Sequence, residues 1–203
     1  MKIIALSDTH NKHDEITLPE GDMLIHAGDA TGIGRLHELE KFSVFMNAAP
    51  HKYKIVIAGN HDPCYEKYHN QLGDFFNNSV YLLDESITIE GIKFYGTPWT
   101  PCHWAYHTHK NLLVEKWMKI PTDTDVLITH MPPYGILDFD KNSQKNDGCK
   151  DLLKRVQLIR PKYHIFGHVH QAGQKTDRNT TFINACICDE NYSAKNLPIC
   201  FSI

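Results

Sequence analysis

Apolar residues along this chain fall mostly into short runs rather than strict alternations. Such runs occur at 2–6, 23–26, 54–58, 80–83, 87–89, 92–95, 126–129, 163–166, 181–185 and 199–203. Their length and turn-rich flanks predict strands, several of them covered on both faces. Glu90-Gly91 between Ile89 and Ile92 predicts a hairpin, so the pairing is expected to be mixed. Three segments carry a helical spacing instead. Leu36, Leu39, Phe42, Phe45, Met46 and Ala49 share one face, and Pro50 closes it. Leu112, Leu113 and Trp117 form a shorter stripe before Pro121. Cys149, Leu152, Leu153, Val156 and Ile159 form the third, with Asp147 near its start and Pro161 just past its end. Alternating strands and helices predict an α/β protein. No repeat or flexible linker divides the sequence, so residues 1–203 are expected to form a single domain.

Composition narrows the class. An apolar content of 41% and an aromatic content of 10% suit a folded globular chain. A net charge of -3, with no run of Lys and Arg, gives no reason to expect stable nucleic-acid binding. No apolar stretch approaches membrane-spanning length. Met1-Lys2 leads directly into the first apolar run, and Asp8 follows too soon for a secretory signal, so a cytoplasmic location is expected. The six cysteines (64, 102, 149, 186, 188 and 200) include no Cys-x-x-Cys pair and are read as core or near-core thiols. Cys186 and Cys188 alternate about Ile187, as neighbours on one strand face would.

Histidine changes the picture. Among the 14 histidines, several fall just after predicted strands beside carboxylates and an amide. The groups are Asp8 and His10; Gly28-Asp29; Gly59-Asn60-His61-Asp62; His130; and Gly167-His168-Val169-His170. Residues i and i+2 of extended chain point the same way, so Asp8 with His10, and His168 with His170, can each reach one point. Singly, each group has a structural explanation as a turn, a cap or a satisfied imidazole. Together, at strand ends that share a rim, they favour a metal site. Imidazole with hard oxygen ligands suits Mn, Fe, Zn or similar divalent ions, and no thiolate set for structural zinc is present. Asp8, His10, Asp29, Asn60, His130, His168 and His170 exceed the needs of one ion. Two ions sharing a carboxylate account for the excess, and Asp29, isolated after its glycine, suits the shared role.

The ordered blocks Asp-x-His, Gly-Asp, Gly-Asn-His-Asp, a later His and Gly-His-x-His resemble the calcineurin-like metallophosphoesterase superfamily over nearly the whole chain. A narrower resemblance is to the class III cyclic-nucleotide-phosphodiesterase-like group that includes the vertebrate metallophosphoesterase-domain proteins. It rests on Gly96-Thr97-Pro98-Trp99-Thr100-Pro101, Trp104-Ala105-Tyr106, Gly148-Cys149, Arg160-Pro161-Lys162 and Asn196-Leu197-Pro198-Ile199. The resemblance implies two mixed sheets packed as a sandwich and flanked by helices. It implies Asp8, His10 and His170 on a first metal, Asn60, His130 and His168 on a second, and Asp29 bridging. His61 resembles the family's phosphate-contacting histidine, with Asp62 as its orienting residue. The implied cofactor is two divalent ions, Mn2+ first among Mn, Fe, Zn, Ni and Mg. The implied chemistry is in-line attack on phosphorus by a metal-bridging hydroxide.

Departures from the family narrow the substrate. The segment 28–34 lacks the Asp-Arg-Gly extension of Ser/Thr protein phosphatases, and the chain has no room for the extra domains of the repair nucleases. A small-molecule phosphoester is therefore expected, with phosphodiesters such as cyclic nucleotides leading. A broad phosphomonoesterase or nucleotidase is one alternative, and a low-turnover metal-bound regulatory protein is another. Trp99, Trp104, Tyr106 and Tyr134 are expected to wall a pocket for an apolar or aromatic group. His103, His107 and His109 are read as surface residues, and Cys149 as packing at a helix start rather than as a nucleophile. Oligomeric partners leave no mark in the pattern.

Overall fold

Successive residues of the predicted strands bury in opposite directions, which is why the runs are apolar at almost every position. In a computed structural model describing residues 1–102 and 104–203, Ile3 and Ala5 face one core while Ile4 and Leu6 face another. His103 lies outside the described residues.

The strands are Lys2–Leu6 (β1), Met23–Ala27 (β2), Tyr53–Ile57 (β3), Val80–Tyr81 (β4), Glu85–Ile89 (β5), Ile92–Thr97 (β6), Val126–Thr129 (β7), Phe139–Asp140 (β8), Lys145–Asn146 (β9), Tyr163–Phe166 (β10), Gly173–Asp177 (β11), Thr180–Asn184 (β12) and Ile199–Ser202 (β13). The α-helices are Leu36–Ala48 (α1), Pro63–Lys67 (α2), Leu72–Phe75 (α3), Leu113–Met118 (α4) and Lys150–Ile159 (α5). One sheet has the order β13-β1-β2-β3-β4 and the other β11-β12-β10-β7-β6-β5, while β8 and β9 form a small hairpin. Each large sheet is parallel within and antiparallel at an edge, through β1–β13 in one and through β11–β12 and β5–β6 in the other. Both are mixed, as expected.

The sheets pack face to face. Ile3, Ile25, Ile55 and Ile57 of one meet Phe94, Val126, Ile128, Ile165 and Ile183 of the other. The outward faces are covered too: Leu39, Phe42 and Met46 of α1 pack with Ile4, Leu24 and Val56, and Trp117, Leu152 and Val156 of α4 and α5 pack with Tyr95 and Leu127. Burying each such side chain contributes about 1.5–3 kcal/mol before chain entropy is subtracted. The Glu90-Gly91 turn takes φ of 50° and 78°, the two positive values a tight two-residue hairpin requires.

Some local readings change. Asp147 does not cap α5; Cys149 occupies the N-cap position, and Trp117 Nε1 donates to its Sγ at 3.3 Å. Four cysteines are buried, but Cys102 is half-buried and Cys200 exposed on an edge strand, so these two are not core thiols. Cys186 and Cys188 follow β12 rather than lying in it. No helix of the described residues is long and apolar enough to cross a membrane.

Candidate metal centre

Five strand ends deliver the predicted side chains to one place. Asp8 and His10 follow β1, Asp29 follows β2, and Asn60 and His61 follow β3; His130 follows β7, and His168 and His170 follow β10. Their donor atoms form three overlapping groups, each spanning no more than 4.8 Å: Asp8, His10 and His170; Asp29, His130 and His168; and His10, Asp29 and His61. Asn60 joins the second group through Oδ1, 3.1 Å from His130 Nε2. The site is thus built where the carboxyl ends of strands from both sheets meet, rather than on the rim of one sheet.

The route to convergence differs from the extended-chain expectation. Asp8, His10, Asp29 and His168 take φ of 50°, 40°, 55° and 68°. For side chains with a Cβ this region costs of order 1–3 kcal/mol, and it persists only where the surroundings fix it. They do: Asp8 N–H donates to Gly28 O at 2.8 Å, His10 N–H to Asp29 O at 3.1 Å, and His168 N–H to both Asp8 oxygens at 3.0 Å. A left-handed turn after the strand aims each side chain. Two glycines permit the crowding, because a Cβ on Gly59 would lie 2.2 Å from Asp29 Oδ1 and one on Gly167 would lie 2.0 Å from Asp8 Oδ2.

Imidazole tautomers follow from the carbonyls they meet. His10, His61, His130 and His170 each place Nδ1 on a backbone oxygen: Thr31 at 3.1 Å, Gly32 at 2.7 Å, Ala27 at 3.0 Å and Asp189 at 2.7 Å. A carbonyl only accepts, so Nδ1 carries the hydrogen and a neutral ring presents its Nε2 lone pair to the centre. The Nε2 atoms face carboxylate oxygens. His130 Nε2 lies 3.3 Å from Asp29 Oδ2, His170 Nε2 lies 3.7 Å from Asp8 Oδ1, and His10 Nε2 lies 3.8 Å from Asp29 Oδ2. A set of inward-pointing acceptors fits a cation, and nitrogen with carboxylate and amide oxygen suits first-row divalent ions.

Asp29 Oδ2 is the atom the two halves share, near His10 of the first group and His130 of the second. Asp29 Oδ1 accepts the His61 N–H at 2.7 Å, while Oδ2 faces the Nε2 atoms of His10 and His130. Burial works against charge on Asp29, yet the imidazoles of His130, His10 and His61 hold its carboxyl well below the usual range. The reciprocal effect appears on His130: burial opposes a positive charge, but Asp29 overrides it and pushes the ring up to about 9. The site therefore favours positive charge between these groups. His168, pushed down to about 4 by burial and then by His130, stays neutral and able to ligate.

Asp62 does not touch the His61 ring, whose Nδ1 is oriented by Gly32 O. Its carboxyl instead accepts from Gly59 N at 2.9 Å, Thr31 N at 2.9 Å, Thr31 Oγ1 at 2.9 Å and Ala30 N at 3.3 Å. It ties the Asp29 loop to the His61 loop. Burial, reinforced by Asp29, pushes it up to about 6.

Of the four expected pocket aromatics, only Trp104 reaches the centre, 4.5 Å from His61 between ring centroids. Tyr106 is core, its hydroxyl paired with Tyr81 at 2.7 Å. Trp99 donates to Asp84 at 2.8 Å under the Lys116 ammonium, and Tyr134 lies beneath Lys150. His107 is half-buried and His109 exposed, and neither joins the ligand groups. Tyr192 was not foreseen: its ring lies 4.8 Å from His10 and 5.2 Å from His170. Cys102 Sγ at 3.5 Å and Asp147 Oδ2 at 3.9 Å from His168 Nε2 were not foreseen either. None of the three sits in the strand-end pattern that marks the candidate ligands. A cavity of about 220 Å³ beside His168 and His170 is bordered by Tyr192, Cys102 and Phe139. A larger groove of about 830 Å³ follows the outer face of α1 among Ile16, Leu18, Val44 and Phe45, and none of the ligand groups borders it.

Known proteins are similar to this chain in sequence and in fold. The calcineurin-like phosphoesterase profile matches residues 1–172. A UPF0046 protein of Caenorhabditis elegans is 44% identical over 100% of this chain and 75% of its own length. Human metallophosphoesterase domain-containing protein 1 is 38% identical over 98% of this chain and 69% of its own. Among solved structures, TT1561 of Thermus thermophilus superposes with a TM-score of 0.68 at 11% identity, covering 90% of this chain and 88% of that one. Phosphopantetheinyl hydrolase of Mycobacterium tuberculosis does so with a TM-score of 0.64 at 14% identity, covering 94% and 90%. With the profile spanning most of the chain and its sequence relatives nearly all of it, this protein belongs to the calcineurin-like phosphoesterase family and is an enzyme of the metallophosphoesterase type.

Proposed function

We propose that this protein hydrolyses small phosphodiesters, cyclic nucleotides among them, at a dinuclear divalent-metal centre. The observation that carries the reading is Asp29 Oδ2, which stands between the His10 group and the His130 group. In this reading Asp8, His10 and His170 hold one ion, Asn60, His130 and His168 the other, and Asp29 both. Bound there, the ions supply Lewis acidity at phosphoryl oxygen and an activated water. Mn2+ is the proposed metal, residues 1–203 the proposed single domain, and the cytoplasm the proposed location.

The protein's own part is to position and to move a proton. His61 is anchored through Nδ1 to Gly32 O, which leaves Nε2 for the phosphoryl group or the departing oxygen. Its backbone N–H meanwhile fixes Asp29 Oδ1. Asp62 acts as a positioning residue that holds both loops in register. His61 also belongs to the donor group of His10 and Asp29, so its role is decided by metal content as well as by rate.

The test uses purified protein, stripped and reloaded with Mn2+. Matched aryl phosphodiester and phosphomonoester substrates and 2′,3′- and 3′,5′-cyclic nucleotides are assayed beside His61→Ala. Metal-dependent turnover favouring the diester, reduced about 10²–10⁴-fold in the variant with its metals retained, is expected. Monoester preference would replace the diester reading with a phosphatase. No turnover with two ions bound would replace it with a regulatory role.

A further inference from the structure

Trp104 and Tyr192 are large aromatic side chains left 43% and 49% exposed, and both stand against the same imidazole. Their ring centroids lie 4.5 Å and 6.2 Å from His61. They reach it from separate loops, one after β6 and the other between β12 and β13. Tyr192 holds its place at φ 58°, a conformation unfavourable for a residue with a Cβ. Among the described residues, neither the Trp104 indole N–H nor the Tyr192 hydroxyl has a hydrogen-bond partner, and neither ring belongs to a core cluster. Tyr192 also borders the cavity beside His168 and His170. Exposed aromatic surface beside a polar catalytic centre has a use when a flat substituent stacks on it.

We propose that Trp104 and Tyr192 are specificity-determining residues that hold a planar aromatic ester substituent, a nucleobase or an aryl ring, beside His61. The proposal rests on the phosphoester reading of the site. The phosphoryl end of the substrate meets the ligand cluster, and the organic end meets the two rings. An alkyl substituent in the same place gains little from either ring, so the preference for aromatic over alkyl esters measures their contribution.

Binding of phenylphosphonate and methylphosphonate to the full, Mn2+-loaded chain, followed by calorimetry, tests this without relying on turnover. Wild type is expected to bind the phenyl compound more tightly. Trp104→Ala and Tyr192→Ala should each reduce the phenyl-to-methyl preference about tenfold while methylphosphonate affinity and metal content hold steady. Tyr192→Phe and Trp104→Phe keep a flat ring and should retain the preference, and they also control for folding. An unchanged preference in both alanine variants would overturn the proposal. So would equal weakening of both phosphonates, which would mean that the rings only shield the ligand histidines. Failure of wild type to prefer the phenyl compound, or to bind either phosphonate, would overturn this inference, while the turnover assay decides the phosphoester reading separately.

Discussion

His10 and His170 bring their Nε2 atoms within 3.3 Å of one another, although each already donates Nδ1–H to a backbone carbonyl. Rings so anchored, when neutral, present lone pair to lone pair, a contact that a cation at the meeting point relieves. The buried carboxylates of Asp8 and Asp29 add to the same demand. Metal binding is therefore expected to stabilise the fold. An ion present at a hundredfold its dissociation constant contributes about 2.7 kcal/mol. For a chain of this size that raises Tm by roughly 5–10 °C. Calorimetric melting with chelator and then with Mn2+ checks the shift; identical melting curves would contradict it.

Crowding at the glycines makes a sharper prediction. Gly59→Ala and Gly167→Ala drive a methyl into Asp29 or Asp8 and should release metal from an otherwise folded chain. Gly73→Ala, in α3 with nothing within 4 Å of the new Cβ, should keep its metals and gain up to about 1 kcal/mol from lower unfolded-state entropy. Metal analysis of the three variants separates the two cases.

Asp62 is expected to matter through the loops it joins. Asp62→Ala leaves the N–H groups of Gly59, Ala30 and Thr31 without their acceptor in a buried place. At about 1–3 kcal/mol for each unmet donor, partly relieved by relaxation, a loss of about 3 kcal/mol is expected. Urea unfolding measures it, and a change below about 1 kcal/mol would show that the loops hold without this carboxylate.

Acid should destabilise the chain through two buried histidines outside the candidate ligand set. Burial pushes His26 and His164 down to about 3, and the Nδ1 of each lacks a partner among the described residues. In the unfolded chain both titrate near 6.5. Between those values the unfolded state binds two protons that the native state refuses, so stability is full above about pH 6.5 and falls as pH drops toward 3. The limiting slope is about 2.7 kcal/mol per pH unit from this pair. Denaturant unfolding of chelated protein at several pH values should show His164→Leu removing about half of that contribution. An unchanged slope would contradict the assignment.

The candidate centre is legible in the sequence because every proposed ligand sits just after an apolar run, where side-chain chemistry and strand boundary coincide. Asp8, Asn60 and His130 share no other local feature. What escaped was structure without an apolar signature. Strand β11, Gly173–Asp177, is polar and mostly exposed, and it exists only because β12 offers it an edge. Helices α2 and α3 are too short to show a stripe. The aromatics illustrate a different limit, since composition marks Trp99, Trp104 and Tyr106 alike while packing sends only Trp104 to the site. The left-handed turns at Asp8 and His168 were equally hidden, because only the assembled hydrogen bonds make those conformations tolerable.

One carboxylate, Asp29, is proposed to join two ion sites. Metal stoichiometry after reconstitution with Mn2+, measured by elemental analysis for wild type and Asp29→Ala, tests it most directly. Two ions per wild-type chain, with at least one lost in the variant, are predicted. A single ion in wild type, or two ions undisturbed in Asp29→Ala, would contradict the shared centre.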